Sequence, residues 1–484
     1  MKVLANLEPK GVFHFFQEIC DIPHGSGNVK QISDYLVEFA KERELTYRQD
    51  ELKNVIIEKP ASRGYEEEPP IILQGHMDMV AVKKPGINKD MKTEGLDVRV
   101  EGDKIYAEGT SLGGDDGIAV AYALALLDDD TLSHPKLEVV ITVDEEVGMD
   151  GARGIDLSGL QGKRMLNLDS EEEGIFLTSC AGGARVNCHL PLNNEEKNGE
   201  VYRISVEGLL GGHSGETIDK ERGNANCILG RILYEIAQEM PVNLMLLEGG
   251  LADNAIPRQA IAEIVICGDD IDKLQKKVLR MEVEIQKELA VKDPNFQITV
   301  ISKGQNKVLC ADDISTKKAT AFLLALPNGV QAMSGDVKGL VETSLNLGIM
   351  RYDTDTKQLM CSFSVRSCIE SAKQNLIAKL KAVTQMAQGS VTVNGDYPGW
   401  AYRVDSPLRE KMVALYEEMY GRKPELKAIH AGLECGILAS KINDLDCISI
   451  GPNMENIHTT EETLSVSSTK RVWEFLINLL AKKG

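Results

Sequence analysis

The chain has 484 residues, more than one hydrophobic core ordinarily serves, so we expect two or three domains. Its hydrophobic content of 43% and charged content of 26% are typical of a folded protein, and its net charge of -20 disfavours a nucleic-acid partner, which would require a basic face. The longest apolar stretch, residues 117–127, is far shorter than the ~20 residues that span a bilayer, so we expect no membrane partner.

The N-terminus and the cysteines bear on the cellular compartment. Residues 1–9 lack the apolar core of a secretory signal. The ten cysteines form no CxxC pair, so neither a disulfide framework nor a cysteine-ligated zinc site is indicated. We therefore expect a cytoplasmic protein.

The first segment, residues 1–187, alternates helical and strand-like patterns. The patterns predict helices at 13–19, 31–43 and 115–127, and strands at 54–58, 71–74, 137–143 and 165–168. Such alternation predicts an α/β fold in which a mixed, largely parallel sheet is flanked by helices.

The pattern changes in residues 188–395 and then returns. The middle segment has predicted strands at 201–206, 260–266, 297–301 and 358–365, with long helices at 271–289 and 372–386. The last segment, 396–484, has a predicted helix at 408–419, a buried strand at 447–450 and a closing helix at 472–480. We expect the first and last segments to form one discontinuous domain, and the middle segment to be an inserted α+β domain that acts as a lid.

Five remote residues are candidate metal ligands: His76, Asp115, Glu146, Asp169 and His458. Three of them closely follow runs predicted as buried strands. In an open α/β sheet, ligands gather beyond the carboxyl ends of the strands. Imidazoles and carboxylates delivered there predict a hydrolytic site with two metal ions.

His76 and Asp78 lie on the same side of an extended backbone, because residues i and i+2 share a face. His76 could ligate a metal while Asp78 accepts the other ring N–H and orients the ring. Asp115 opens the helix at 115–127 and could bridge two cations through its two oxygens. The alternatives are a loop histidine bonded to a neighbouring carboxylate and an acidic helix cap.

Asp144, Glu145 and Glu146 are consecutive carboxylates that repel one another unless cations or solvent offset their charge. If the backbone bends here, one glutamate can ligate metal while the other faces a metal-bound water as general base. A solvated acidic loop is the alternative. Asp169, which precedes a charge run, and His458, in a loop, could each be merely solvated.

Three positions in the middle segment could hold substrate. His213 lies in a glycine-rich turn, and Asn254 could bind a carbonyl oxygen. Arg366 follows a predicted strand, and its planar fork matches a carboxylate. The alternatives are a solvated turn histidine, turn chemistry and a surface salt bridge, respectively.

Eight motifs occur in a characteristic order. They are G-H-M-D-M-V at 75–80, S-L-G-G-D-D-G-I at 111–118, D-E-E-V-G at 144–148, N-L-D-S at 167–170, G-G-H-S-G at 211–215, N-A-I-P-R at 254–258, H-A-G-L-E-C-G at 430–436 and I-H-T at 457–459. With them the chain resembles the co-catalytic di-zinc peptidases that include aminoacylase and carboxypeptidase G. Within that family it is most similar to the aminoacyl-histidine (Xaa-His) dipeptidases, or peptidase D.

The resemblance implies roles for the metal ligands. Asp115 bridges two divalent metal ions, which are zinc, with manganese or cobalt as alternatives. His76 and Asp169 bind one ion, and Glu146 and His458 bind the other. The family also carries a non-proline cis peptide after its bridging aspartate, here between Asp115 and Asp116.

The resemblance also assigns the remaining residues. Glu145 matches the general base, and Asp78 the residue that orients the metal-binding histidine. The residues that hold substrate are His213, which is our choice for stabilising the oxyanion, Asn254, Arg366 and Glu434, which would hold the free amine. The family further implies a homodimer through the lid.

We therefore expect a cytoplasmic zinc metallopeptidase, a dipeptidase that hydrolyses Xaa-His and related dipeptides such as β-alanyl-histidine through a metal-bridged water. The nearest alternative is an amidohydrolase of the same family that acts on N-acyl amino acids. A metal-stabilised binding protein without catalysis is a third possibility. Glu145 beside Glu146 argues against it, because structural metal needs no second carboxylate directed at water.

Overall fold

The computed structural model describes residues 3–267 and 271–483. The described residues form two compact units. Unit 1 takes in Met1–Ser179, Tyr402–Ala428 and Leu433–Gly484, and unit 2 takes in Cys180–Ala401 and Ile429–Gly432. The predicted boundaries at 187/188 and 395/396 fall inside two strands of unit 2, and the assignment of a catalytic domain and a lid stays a prediction.

The helices, in chain order, are α1 (Lys10–Asp21), α2 (Lys30–Glu42), α3 (Gly114–Asp128), α4 (Asp150–Gly154), α5 (Ala225–Glu239), α6 (Ile271–Leu289), α7 (Asp313–Ala325), α8 (Glu370–Met386), α9 (Pro407–Tyr420), α10 (Glu434–Lys441) and α11 (Val466–Ala481). A 3₁₀ turn covers Ile218–Lys220. No helix in the described part of the chain combines the length and the apolar character that crossing a bilayer requires.

The strands are β1 (Thr46–Gln49), β2 (Val55–Lys59), β3 (Ile71–His76), β4 (Val98–Glu101), β5 (Lys104–Ala107), β6 (Leu137–Thr142), β7 (Arg164–Asn167), β8 (Ile175–Cys180), β9 (Gly182–Pro191), β10 (Asn194–Glu207), β11 (Gly212–His213), β12 (Asn243–Gly249), β13 (Ala255–Ile256), β14 (Ala260–Ile266), β15 (Gln297–Ala311), β16 (Gly329–Met333), β17 (Val341–Asp353), β18 (Gln358–Ser367), β19 (Ser390–Tyr397), β20 (Glu425–Ile429), β21 (Asp446–Ser449), β22 (Met454–Glu455) and β23 (Thr463–Ser465).

Unit 1 is built on a mixed sheet with the order β1-β2-β6-β3-β7-β21-β8-β20. Its centre is parallel, since β3 pairs in parallel with both β6 and β7, and β21 pairs in parallel with β7. Every residue of β3 and β6 is buried, as expected for central strands covered on both faces. The predicted α/β class with a mixed, largely parallel sheet and helices is therefore confirmed.

Helix α3 lies in the core of unit 1. Its residues from Gly114 to Leu127 are all buried, and after the two aspartates of its first turn the helix is apolar on every side. It packs against α1 and β3. The close approach to β3 occurs at Gly75, where an added Cβ would lie 2.5 Å from Asp116 Oδ2 and 2.6 Å from Ala119 Cβ. The glycine before His76 thus lets the start of α3 lie directly against the end of β3.

Unit 2 has a separate hydrophobic core beneath an antiparallel sheet with the order β15-β10-β14-β12-β17-β18-β9-β19, and β16 pairs with β17. Helices α5 to α8 belong to this unit, which gives it an α+β architecture. Strands β10 and β15 run well past the predicted 201–206 and 297–301. The extra length is a two-stranded ribbon whose polar sequence gave no apolar signal.

Candidate active site

The predicted metal ligands of unit 1 come from the carboxyl ends of three adjacent parallel strands. His76 is the last residue of β3, Asp169 follows β7 by two residues, and Glu146 follows β6 by four. Asp115 is in the first turn of α3, which packs on β3. The topology therefore delivers these side chains to one edge of the sheet, as the strand pattern predicted.

The five predicted ligands lie close together, with the Asp115 carboxylate between the two imidazoles. His76 Nε2 lies 3.2 Å from Asp115 Oδ1 and 3.7 Å from Asp169 Oδ1. His458 Nε2 lies 3.0 Å from Asp115 Oδ2 and 2.8 Å from Glu146 Oε1. The two imidazoles thus face different oxygens of one carboxylate, which is the arrangement that a bridging ligand requires.

The tautomer of His76 bears on what the cluster can bind. His76 Nδ1 lies 2.9 Å from the backbone oxygen of Asp78. A carbonyl oxygen only accepts, so Nδ1 carries the proton and donates it. Nε2 faces the oxygens of Asp115 and Asp169, and against the opposing effect of burial these carboxylates raise the pKa of His76 well above its usual value. The space between Nε2 and the carboxylates therefore favours a positive charge, and a divalent cation bound there would take the place of the Nε2 proton.

Asp78 orients His76 differently from the prediction. The acceptor nearest to the ring is the backbone carbonyl of Asp78, whereas its carboxylate Oδ1 is 3.5 Å from Nδ1. That carboxylate accepts hydrogen bonds from Ser26 Oγ at 2.8 Å and from the backbone N–H of Glu145 at 3.1 Å. Asp78 therefore positions both His76 and Glu145.

Glu145 and Glu146 both reach the cluster because the chain turns just before them. Asp144 has a φ of 54°, in the left-handed region, so β6 does not continue as extended backbone. An oxygen of each glutamate lies within 4.8 Å of a His76 nitrogen. Burial raises the pKa of Glu145 well above its usual value, and the neighbouring carboxylates Asp169 and Glu434 raise it further.

The crowded carboxylates and the raised pKa values of the cluster favour the binding of cations. Burial raises the pKa of Asp169 to about 6. Contacts with Asp115 and Glu146 raise the pKa of His458 to about 10. The buried Oε1 of Glu146 lies 2.8 Å from His458 Nε2, the nitrogen that also faces Asp115. Crowded carboxylates and two imidazoles form a donor set that suits divalent transition metals such as zinc.

Asp116 also lies in the cluster. One of its oxygens is within 4.8 Å of His76 and Asp169 ligand atoms, and its Oδ2 accepts the backbone N–H of His76 at 3.1 Å. The peptide bond between Asp115 and Asp116 is cis, as the family resemblance predicted. Asp116 was not among the predicted site residues, although it directly follows a predicted ligand.

Glu434 is fully buried at the start of α10, still within unit 1. Its Oε2 accepts hydrogen bonds from Gln74 Nε2 at 2.6 Å and Thr142 Oγ1 at 2.5 Å. Its Oε1 has no partner among the described residues. Burial raises the pKa of Glu434 to about 8. The side chain thus joins two strands that carry ligands and keeps one acceptor free.

The other predicted substrate residues lie in unit 2. His213 is in β11, which pairs with β13, and the backbone N–H of Ser214 donates to the backbone oxygen of Asn254 at 2.7 Å. Burial, followed by the charge of Arg366, lowers the pKa of His213. His213 and Asn254 are therefore neighbours, and the charge of Arg366 reaches His213.

Sequence reasoning missed His430, which also belongs to unit 2. It is buried, and its Nε2 lies 2.7 Å from Ser344 Oγ. Burial, with a further contribution from Arg366, lowers the pKa of His430 to about 4, so this imidazole is neutral at pH 7. The signal was present, since His430 begins the H-A-G-L-E-C-G motif, but only Glu434 of that motif was singled out.

Comparisons with known proteins agree with this geometry. The model of Peptidase family M20/M25/M40 matches residues 72–482. A cytosol non-specific dipeptidase of Escherichia coli (strain K12) is 36% identical over 484 residues, which are 99% of this chain and 99% of that protein.

Two solved structures have the same fold as this chain. An aminoacylhistidine dipeptidase from Vibrio alginolyticus superposes with a TM-score of 0.94 at 33% identity and covers 99% of this chain and 98% of its own. Aminopeptidase PepT from Bacillus cereus shares the fold at 17% identity, with a TM-score of 0.57 and 98% of each chain covered. The resemblance inferred from the eight motifs is confirmed. The chain therefore belongs to Peptidase family M20/M25/M40 and is a hydrolase that acts on peptide bonds.

Proposed function

We propose that this protein is a cytoplasmic dipeptidase that hydrolyses unblocked dipeptides of the Xaa-His type, such as β-alanyl-histidine, with two zinc ions. The observation that carries the proposal is the placement of the His76 and His458 imidazoles against the two oxygens of Asp115. The substrate class is supported by the 33% identical aminoacylhistidine dipeptidase, and the compartment by the 36% identical cytosol dipeptidase.

The five ligands divide into two sets that share Asp115. His76 and Asp169 would hold one cation, and Glu146 and His458 the other, with manganese or cobalt as alternatives to zinc. When bound, such a pair of divalent cations polarises the scissile carbonyl and lowers the pKa of the attacking water toward ~7.

Glu145 is the general base in this proposal. Its backbone is held by Asp78, and its side chain reaches the cluster beside Glu146. A carboxylate whose pKa is raised by burial accepts a proton more readily than a solvated one. Glu145 would take the proton of the attacking water and pass it to the leaving amine.

The polar residues beyond the metal cluster would recognise the substrate. Glu434 keeps one buried oxygen without a partner among the described residues, and a substrate ammonium group placed there would favour its ionised form against the burial that raises its pKa. In unit 2, His213 would stabilise the oxyanion, Asn254 would bind a carbonyl oxygen, and Arg366 would bind the substrate carboxylate. We also propose a homodimer that forms through the lid, residues 188–395.

A substrate panel distinguishes this function from the N-acyl amidohydrolase alternative. We expect the zinc-loaded enzyme to cleave β-alanyl-histidine and α-aminoacyl-histidines, and to act on their N-acetyl derivatives with kcat/KM lower by ~10²-fold or more. The reason is that acetylation removes the charge that Glu434 is expected to bind. The measurement is histidine release at several substrate concentrations.

Two other results would contradict the proposal. Faster hydrolysis of N-acetyl amino acids than of free dipeptides would favour the amidohydrolase. Tight binding of two zinc ions without hydrolysis of any compound in the panel would favour a binding protein.

A further inference from the structure

Glu462 connects two of the proposed metal ligands: its carboxylate accepts the backbone N–H of Asp115, and it follows His458 by four residues. We infer that Glu462 is a positioning residue: it fixes the backbone of Asp115 relative to the His458 loop and thereby sets the metal affinity of the site. The inference rests on the proposed function, because it concerns the same pair of cations.

The carboxylate of Glu462 accepts hydrogen bonds from backbone N–H groups just before α3 and in its first turn. Its Oε2 accepts from Leu112 at 2.8 Å and Gly113 at 3.1 Å, and its Oε1 accepts from Gly114 at 2.8 Å and Asp115 at 3.4 Å. The residue is only 3% exposed. One carboxylate thus holds four consecutive amides, the last of which belongs to the proposed bridging ligand.

The start of α3 needs such an acceptor. The first N–H groups of a helix have no carbonyl partner within it, and they carry partial positive charge. Usually a neighbouring side chain caps them, but the residue before α3 is Gly113, which has no side chain to do so. Gly113 has a φ of 67°, and a Cβ on Gly114 would lie 3.3 Å from Glu462 Oε1. The two glycines therefore let the loop wrap around the carboxylate.

The chain position of Glu462 connects this cap to the second proposed ligand set. Glu462 follows His458 by four residues and directly precedes β23. The hairpin of β22 and β23 flanks both residues, and β23 pairs with β5, which anchors the segment. Because His458 Nε2 lies 3.0 Å from Asp115 Oδ2, a shift of the cap would change the distance between two ligands of the same cation.

Glu138 provides the comparison with Glu462, because it is a buried carboxylate that also accepts backbone N–H groups but has a purely structural role. This fully buried carboxylate, in the second position of β6, accepts the backbone N–H groups of Gln161 at 3.0 Å and Gly162 at 2.8 Å. It lies at the end of the strand opposite to the metal cluster. Loss of its charge should lower stability without altering metal binding.

The test compares zinc affinity across four variants of the full-length chain: Glu462→Gln, Glu462→Asp, Glu138→Gln and Glu461→Gln. Glu461 is the exposed neighbour that pairs with Lys84 at 2.6 Å. Zinc dissociation constants would be measured by competition with a chromophoric chelator, alongside the thermal midpoint of the metal-free protein. In Glu462→Gln, an amide NH₂ replaces an oxygen that two N–H groups require, so zinc affinity should fall ~10–100-fold.

The controls decide whether the effect is specific. Glu138→Gln should lower the thermal midpoint yet keep zinc affinity within about twofold of wild type, and Glu461→Gln should change neither. Glu462→Asp retains the charge and should recover part of the affinity that Glu462→Gln loses.

Three results would overturn the inference. The first is wild-type zinc affinity in Glu462→Gln, and the second is an equal loss of affinity in Glu138→Gln. If Glu462→Gln does not fold, Glu462→Asp decides the matter: weaker zinc binding than in Glu461→Gln supports the inference, and unchanged binding is the third contrary result. A wild-type chain that binds two zinc ions but hydrolyses no dipeptide would contradict the proposed function, while the affinity comparison would still decide the role of Glu462.

Discussion

Glu145→Gln should bind both metal ions and lose about 10²–10⁴-fold in kcat. The amide has nearly the shape of the carboxylate but cannot take a proton from the attacking water. The structure separates this role from that of the neighbour, because Glu146 contacts His458 at 2.8 Å whereas the backbone of Glu145 is held by Asp78. KM should change far less than kcat, since the proton is transferred in the chemical step.

The measurement is steady-state kinetics together with metal analysis of the same preparation. Glu172→Gln is a suitable control. Glu172 is exposed and lies three residues after Asp169 in the sequence, and its carboxylate is 3.7 Å from Lys427 Nζ. Near-normal turnover in Glu145→Gln would remove Glu145 from the role of base. A variant that lost metal instead would make Glu145 a ligand.

Asp115→Asn should lose at least one of the two metal ions, and kcat/KM should fall by about 10³-fold or more. Both imidazoles face this carboxylate, so an amide NH₂ would point at one of the positions where a cation is expected. The neighbouring carboxylates would also lose a shared cation that offsets their repulsion.

The metal content per chain after dialysis is the readout for Asp115→Asn. Asp128→Asn is the matched control, because Asp128 ends the same helix α3 and pairs with Arg43 at 2.7 Å, away from the cluster. Retention of two ions per chain in Asp115→Asn would show that this residue does not bridge them.

The convergence of three candidate ligands could be predicted because its signals are local. Strands β3, β6 and β7 are short runs with apolar centres, and a candidate ligand ends β3 or follows β6 and β7 within four residues. Parallel neighbours bring such ends together, so the strand pattern already implied that His76, Glu146 and Asp169 converge. The motifs then supplied Asp115 and His458, which strand pattern alone could not connect.

Residues that act through remote backbone contacts could not be predicted. Glu462 lies in a polar run, T-T-E-E-T, that is typical of a solvated loop, and its partners are about 350 residues earlier in the chain. His430 differs in that the H-A-G-L-E-C-G motif marks its segment, but the burial of its imidazole beside the Ser344 side chain depends on tertiary packing. No spacing in the sequence indicates that contact or the contacts of Glu462.

Strand β17 is an element of the fold that the sequence pattern did not predict. Its sequence mixes apolar residues with Glu342, Thr343, Asn346 and Gly348, so no strand was predicted there. It is nevertheless largely buried, because polar side chains find partners within unit 2. Asn346 Nδ2, for example, donates to the backbone oxygens of Asp253 and Ala255, each at 2.9 Å. Satisfied polar groups permit burial that composition alone argues against.

Anomalous diffraction from crystals of the zinc-loaded wild-type protein tests the central claim most directly. We expect two anomalous peaks ~3.5 Å apart, one on each side of the Asp115 carboxylate, the first beside His76 and the second beside His458. A single peak, or a pair remote from Asp115, would contradict the two-metal centre.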